Sequence, residues 1–375
     1  MTDREATIVL NMISGIGYVK YTALKEEFGS PAAVPGRSAD ELMQVPGIGP
    51  QLAERVAASD WGALLGNELE LCDRAGVRIV TLWDEAYPEV LRSLFDPPLC
   101  LYVRGKLPPL PENAVAVVGT RRMTQYGARM TRMITEEAVA AGYTIVSGLA
   151  FGVDTVAHTA TVEMNGITVA VLGGGLMRIH PQENVPLARR IVECGGALVS
   201  EFPMMCPVSR TTFPRRNRIV AGMTRATIVT EAGIGSGALI TAKLALDNGR
   251  EVFAVPGHAD NMQAKGCHKL IKEGAALVES FGDVLDAFGV RVGGYLPGLE
   301  PDEAGEGRVP YDPDSSGDLS ADEQRVLKLL GEKERSLEEL AAETSLDTGR
   351  LLGVLMSLEM RMLADHGADQ VYRRL

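Results

Sequence analysis

Ala114-Val-Ala-Val-Val118-Gly119-Thr120-Arg121-Arg122 is an unbroken apolar run that ends in a glycine and two arginines. Five apolar residues without polar alternation predict a strand buried on both faces. Similar runs follow at Thr144–Val146, Thr168–Leu172, Ala197–Val199, Ala226–Val229 and Glu251–Val255, with a shorter one at Ala276–Val278, and helical stretches lie between them. Buried strands alternating with helices predict an α/β fold, an extended Rossmann-like doubly wound parallel sheet over residues 113–288.

In such sheets ligands bind at the carboxyl ends of the strands. After the first run, Gly119 lets a backbone come close, and free amides at the next helix start attract phosphate beside Arg121 and Arg122. The fifth run leads into Thr230-Glu231-Ala-Gly233-Ile-Gly235-Ser236-Gly237, which opens a helix carrying Lys243. The sixth ends in Val255-Pro256-Gly257-His258, a third turn suited to phosphate. Gly173-Gly174-Gly175 makes a roomy turn that a ligand or another chain segment can approach. No G-x-G-x-x-G is present, which argues against a dinucleotide, and no cofactor is expected.

Phe213-Pro-Arg215-Arg216-Asn217-Arg218 is the sharpest local feature. It predicts a helix over 215–222 with Arg215 and Arg218 on one face and Arg216 pointing elsewhere. At least one of these arginines is expected to pair with Glu201 or Glu231. Phe213, just outside the helix start, is placed to stack on a base of an unpaired strand. The candidate DNA-binding residues are Gly119, Thr120, Arg121, Arg122, Arg210, Phe213, Arg215, Asn217, Arg218, Gly233, Ser236, Gly237 and Lys243, with no catalytic or metal residue among them. Ser147, Asp154 and His158 invite a hydrolase reading. There is no G-x-S-x-G elbow, however, and Asp154 and His158 stand four apart on one helix, where they can pair with each other.

The chain has 375 residues, 46% of them hydrophobic, enough for two or three domains. The net charge of −12 is unevenly spread: −6 over residues 1–113, +2 over 114–290 and −8 over 291–375. The window 209–225 holds five arginines and no acid. Local charge governs phosphate binding, so the acidic ends do not count against DNA at the centre. The five cysteines show no C-x-x-C spacing, which argues against a disulfide framework and a zinc site. No apolar run is long enough for a membrane span. The chain start lacks a signal-peptide core. A cytoplasmic protein is expected.

Residues 1–70 predict a small helical domain with an internal repeat, Ile13-Ser-Gly15-Ile-Gly17 and Val45-Pro-Gly47-Ile-Gly49, each followed by a helix. Lys20, Lys25 and Arg55 are the only bases near these turns. Residues 71–112 predict a connector with one or two strands, and residues 289–318 a flexible linker. Residues 319–375 predict a winged helix with capping boxes at Ser320/Glu323 and Ser336/Glu339. Its would-be recognition helix, 347–360, has one base, Arg350, so a protein-contact or regulatory role is expected there.

Leu101-Tyr-Val-Arg-Gly105, Val117-Val-Gly-Thr-Arg121, Val146-Ser-Gly-Leu-Ala-Phe-Gly-Val-Asp154, Phe213-Pro-Arg-Arg-Asn-Arg218, Ser236-Gly-Ala-Leu-Ile-Thr241 and Val255-Pro-Gly257 together resemble the DNA-processing protein A family, the recombination mediators of natural transformation. The resemblance spans nearly the whole chain. It implies a Rossmann domain that binds single-stranded DNA, forms a homodimer and helps load a RecA-type recombinase. It carries the DNA pocket to Gly119, Thr120, Arg121, Arg210, Phe213 and Asn217. Two departures are His180-Pro181, where the family has Tyr-Pro, and His268, in a loop where it has Asn. The alternative is a Rossmann hydrolase acting on nucleoside monophosphates through Glu231.

Overall fold

The computed structural model describes residues 1–110 and 113–290. In the C-terminal part it describes 321–330, 335–344, 346, 350, 351, 354, 355, 358, 363–366 and 371–374. The chain divides into two units, Met1–Tyr295 and Leu296–Leu375.

The first unit is organised by one sheet of nine strands. They are β1 (Val77–Thr81), β2 (Cys100–Gly105), β3 (Ala114–Val118), β4 (Thr144–Ser147), β5 (Thr168–Val171), β6 (Ala197–Ser200), β7 (Ala226–Val229), β8 (Glu251–Ala254) and β9 (Ala276–Leu277). Their spatial order is β1-β2-β6-β5-β4-β3-β7-β8-β9. From β6 across to β9 every pairing is parallel. Strands β3 to β7 are buried along their whole length, as their apolar composition requires. The chain winds outward from β3 to β6, then crosses back to start β7 on the other side of β3. That reversal opens a crevice at the carboxyl ends of β3 and β7.

Strands β1 and β2, expected as parts of a connector, extend this sheet. They pair antiparallel with each other, and β2 pairs antiparallel with β6. The N-terminal helices share their core: Ile8, Leu10, Leu24, Leu65, Ile79, Tyr102, Leu198 and Met204 belong to one buried cluster. Polar ties reinforce this junction. The Met204 amide donates to buried Glu68 at 2.7 Å, and Asn11 donates to the Glu201 carbonyl at 3.0 Å. The repeated glycine turns are present, each leading into a helix, Tyr18–Phe28 and Pro50–Ala57. Two of the three bases nearby serve the turns themselves: Lys20 donates to the Gly15 carbonyl and Arg55 to the Ser14 carbonyl. Lys25 lies over the Trp83 ring.

The Gly173–Gly175 turn receives another chain segment. The Gly175 amide donates to the Cys206 carbonyl at 2.9 Å, and a β-carbon at Gly175 would fall 2.1 Å from the Pro203 oxygen and 2.2 Å from the Met204 oxygen. This contact brings residues 203–208 down over β5 and β6. They lead directly into the helix Thr212–Gly222, which packs against the helix Gly237–Asp247.

The second unit contains helices Ala321–Leu330 and Leu337–Thr344 and a three-stranded antiparallel sheet of Arg335–Ser336, Val371–Arg374 and Ala364–His366. Val326, Leu330, Leu340, Leu351, Leu355 and Leu358 form its core. The box at Ser336 is present: each of Ser336 and Glu339 accepts from the other's amide. Ser320 of the other box, the linker from residue 291 onward and much of the helix expected over 347–360 fall outside the described residues. Arg350 pairs with Asp322 at 2.6 Å, within the same unit.

Replacing Gly175 with alanine is expected to destabilise the first unit by roughly 2–3 kcal/mol, because the clash is with backbone that cannot rotate away. Urea unfolding measures it; an unchanged midpoint would contradict the packing described.

Candidate nucleic-acid pocket

A cavity of about 470 Å³ lies in the crevice. Gly119, Thr120, Arg121 and Arg122 line it from the turn after β3. Gly148, Ala150 and Asp154 line it from the turn after β4. Ser236, Gly237 and Ala238 contribute the start of the helix after β7. Arg210, Phe213, Arg216 and Asn217 reach it from the segment that crosses over. The Arg121 guanidinium stands 4.6 Å from the centre of the Phe213 ring, and Asn217 donates to the Gly237 carbonyl at 3.4 Å.

Nine of the sequence-selected residues therefore meet at one cavity: Gly119, Thr120, Arg121, Arg122, Arg210, Phe213, Asn217, Ser236 and Gly237. Arg215, Arg218, Gly233 and Lys243 do not line it. Arg215 and Arg218 both bond the Glu201 carboxylate, at 3.1 and 2.5 Å, and Arg218 also meets Asp96 at 3.5 Å. The expected pairing with Glu201 thus takes two arginines. Burial raises the Glu201 pKa while Arg218 and Arg215 oppose that rise. Lys243 is exposed farther along its helix, and Gly233 packs near Met262. The Val255–His258 turn forms a separate small cleft with Tyr126 rather than a wall of this one.

The helix begins at Thr212, three residues before the expected start. Phe213 consequently sits inside its first turn. Phe213, Arg216 and Asn217 then stand at i, i+3 and i+4 and share a face. This places Arg216, which the sequence left unassigned, in the cavity. It is 4% exposed, and its Nη1 donates to the Val171 carbonyl at 2.7 Å. The space it needs comes from Gly148, where a β-carbon would fall 1.4 Å from that Nη1. That glycine beside an arginine three residues after Phe213 was the available signal, hidden by the misplaced helix start.

Asp154 and His158 do not pair. Asp154 is buried and accepts from the amides of Gly148 and Ala150 at 3.1 and 3.2 Å. Burial raises its pKa, opposed by nearby Arg216 and by those amides. His158 is fully buried and bonds Thr168 Oγ1 through Nδ1 at 2.7 Å. Because Thr168 donates to the Ile145 carbonyl, its oxygen is left to accept from Nδ1–H. Burial and the Arg216 charge push the His158 pKa down to about 3. Asp154 thus fixes the turn after β4, and His158 ties its helix to β5.

Glu231, the carboxylate on which a hydrolytic reading depends, is 2% exposed. It accepts from the amide and hydroxyl of Thr124, each at 2.7 Å, and anchors the start of the helix Gln125–Ala140. His268 bonds the Gly257 backbone, so it supplies a polar contact to the 255–258 turn. Among the described residues no group of His, Cys, Asp and Glu could hold a metal ion, and no helix is long and apolar enough to cross a membrane. All five cysteines are free, with Cys72, Cys100 and Cys267 buried.

A doubly wound sheet with an arginine-lined cavity at its strand reversal defines a Rossmann-type protein whose cavity is suited to an anion. The sequence profile of DNA recombination-mediator protein A matches residues 78–289, flanked by a SAM-like helix-hairpin-helix tandem at 8–59 and a DprA winged helix domain at 310–365. The chain belongs to the DNA recombination-mediator protein A family. Protein Smf of Escherichia coli is 38% identical over 78% of this chain and 77% of its own length. Protein Smf of Synechocystis is 32% identical over 97% of both. The structure of DNA processing protein A from Streptococcus pneumoniae superposes with a TM-score of 0.63 at 32% identity, covering 76% of this chain and 98% of that one. The same protein from Helicobacter pylori, whose structure concerns its single-stranded DNA binding mode, gives 0.50 at 26% identity over 57% and 97%.

His158 makes stability depend on pH. With the folded pKa near 3 and the unfolded value near 6.5, the unfolded chain gains a proton that the folded chain refuses. The stabilising effect is full above pH 6.5 and is lost as pH falls toward 3, by up to about 1.4 kcal/mol per pH unit. His158→Asn should flatten the melting temperature against pH in that window. A slope equal to wild type would contradict a buried neutral imidazole.

Proposed function

We propose that this protein is a non-enzymatic single-stranded DNA-binding recombination mediator. It protects incoming strands during natural transformation and loads a RecA-type recombinase on them, acting as a cytoplasmic homodimer. The observation that carries this reading is the Arg121–Phe213 pair at the mouth of the cavity. A cation over an aromatic ring offers a phosphate contact and a stacking surface together, which suits an unpaired strand. Arg122, Arg210 and Asn217 line the same cavity, and the helix start at Ser236 and Gly237 is suited to an anion. The Helicobacter pylori relative supports a single strand as the ligand.

Glycosidic hydrolysis of a nucleoside monophosphate has less support. Glu231 is committed to Thr124 and lies outside the cavity lining, so neither its accessibility nor its geometry suits an acid/base role.

The test is a salt titration of single- and double-strand binding. Wild type should prefer the single strand, with log affinity falling at a slope of about 0.7 per neutralised phosphate. Arg121→Ala should lower both affinity and slope. Phe213→Ala should cost about 1–3 kcal/mol of affinity with the slope unchanged. Equal binding by wild type and both variants would overturn the reading, as would release of free base from nucleotides incubated with wild type.

A further inference from the structure

We infer that Arg216 and the amino end of the helix Gly237–Asp247 form a seat for one phosphate group on the floor of the cavity. This rests on the strand-binding reading and names the residue that would carry its buried charge.

The guanidinium of Arg216 is underpaired. Its Nη1 has the Val171 carbonyl, but its buried Nε has no partner. The nearby carboxylate, Asp154, already accepts two backbone amides. Burial most disfavours the Arg216 charge; Asp154 favours it, and Arg121, which lines the same cavity, opposes it. Four arginines, Arg121, Arg122, Arg210 and Arg216, therefore share one cavity with a single, partly engaged carboxylate. A buried charge in this position is retained at a cost unless something anionic completes it.

The opposite wall is suited to do so. Gly235, Ser236, Gly237 and Ala238 all line the cavity at the start of an 11-residue helix. The Ser236 side chain caps the Ala238 amide at 3.3 Å. The remaining first-turn amides and the helix dipole favour an anion there. A phosphate group has enough acceptor oxygens to bond a guanidinium and amides at once. Gly148 gives the seat its geometry: any side chain there would occupy the space of the Arg216 head group.

The experiment uses the full chain, with wild type, Arg216→Gln and Gly148→Ala. The second variant keeps the arginine but displaces it. First, thermal melts are compared in inorganic phosphate and in chloride at equal ionic strength, without DNA. Phosphate should raise the melting temperature of wild type and not of either variant. Second, binding of an oligo-dT strand is titrated against salt. Both variants should lose roughly tenfold to hundredfold in affinity. The slope should fall by about 0.7, one phosphate's share. Inorganic phosphate should displace the strand from wild type.

A wild-type melt that does not distinguish phosphate from chloride overturns the seat, as does a folded Arg216→Gln with wild-type affinity and slope. If the variants do not fold, the wild-type melt and displacement decide alone. If phosphate stabilises wild type but no strand binds, the seat stands and the strand-binding reading fails. If phosphate stabilises wild type yet does not displace a bound strand, the seat serves a free phosphate compound instead of DNA.

Discussion

The Glu201 carboxylate sits just beyond the end of β6, 4% exposed, and takes the guanidinium groups of Arg215 and Arg218. Much of the molecule is arranged around this buried ion cluster. It clamps one face of the helix Thr212–Gly222, so that the opposite face, with Phe213, Arg216 and Asn217, is turned into the crevice. Removing the carboxylate would leave the Arg218 cation, whose side chain is 11% exposed, without its buried partner, a greater loss than the pair's own attraction suggests. Three arginines in four positions thus divide by helical geometry: two fix the helix and one serves the cavity.

The Glu201 region also joins the N-terminal helices to the sheet. Its carbonyl receives Asn11, and the following segment receives Glu68. The helix-hairpin-helix repeat is consequently built onto the sheet through a shared core. Lys20 and Arg55, the bases that could have met phosphate, are turned onto the hairpin carbonyls.

How much could be read from the residues alone follows from the range of each interaction. The parallel strands were legible because burial on both faces demands continuous apolar runs such as Ala114–Val118. The cavity's main walls were legible because glycine turns at strand ends are local. The membership of β1 and β2 in the sheet was not, since their antiparallel pairing depends on contacts with β6 about a hundred residues away. Nor could spacing tell that Asp154 would turn to amides and His158 to Thr168: an i, i+4 pair is permitted by a helix but decided by what surrounds it. Arg216 escaped because a helix started at 215 leaves Phe213 outside it, which hides the face that Phe213, Arg216 and Asn217 share.

Glu231 also ties the walls of the cavity together. Its side chain holds Thr124, and its carbonyl accepts the Thr120 amide at 2.7 Å, while the Thr120 carbonyl accepts the Val153 amide at 3.2 Å. The turns after β3, β4 and β7 are therefore laced to one another before any ligand arrives. The cavity is preorganised, and the entropy lost on binding falls mainly on the incoming chain rather than on the protein. An unpaired strand is the floppier partner and surrenders its freedom one nucleotide at a time. On the reading proposed above, a rigid receptor of this kind would hold the bound part of a strand in a fixed pose.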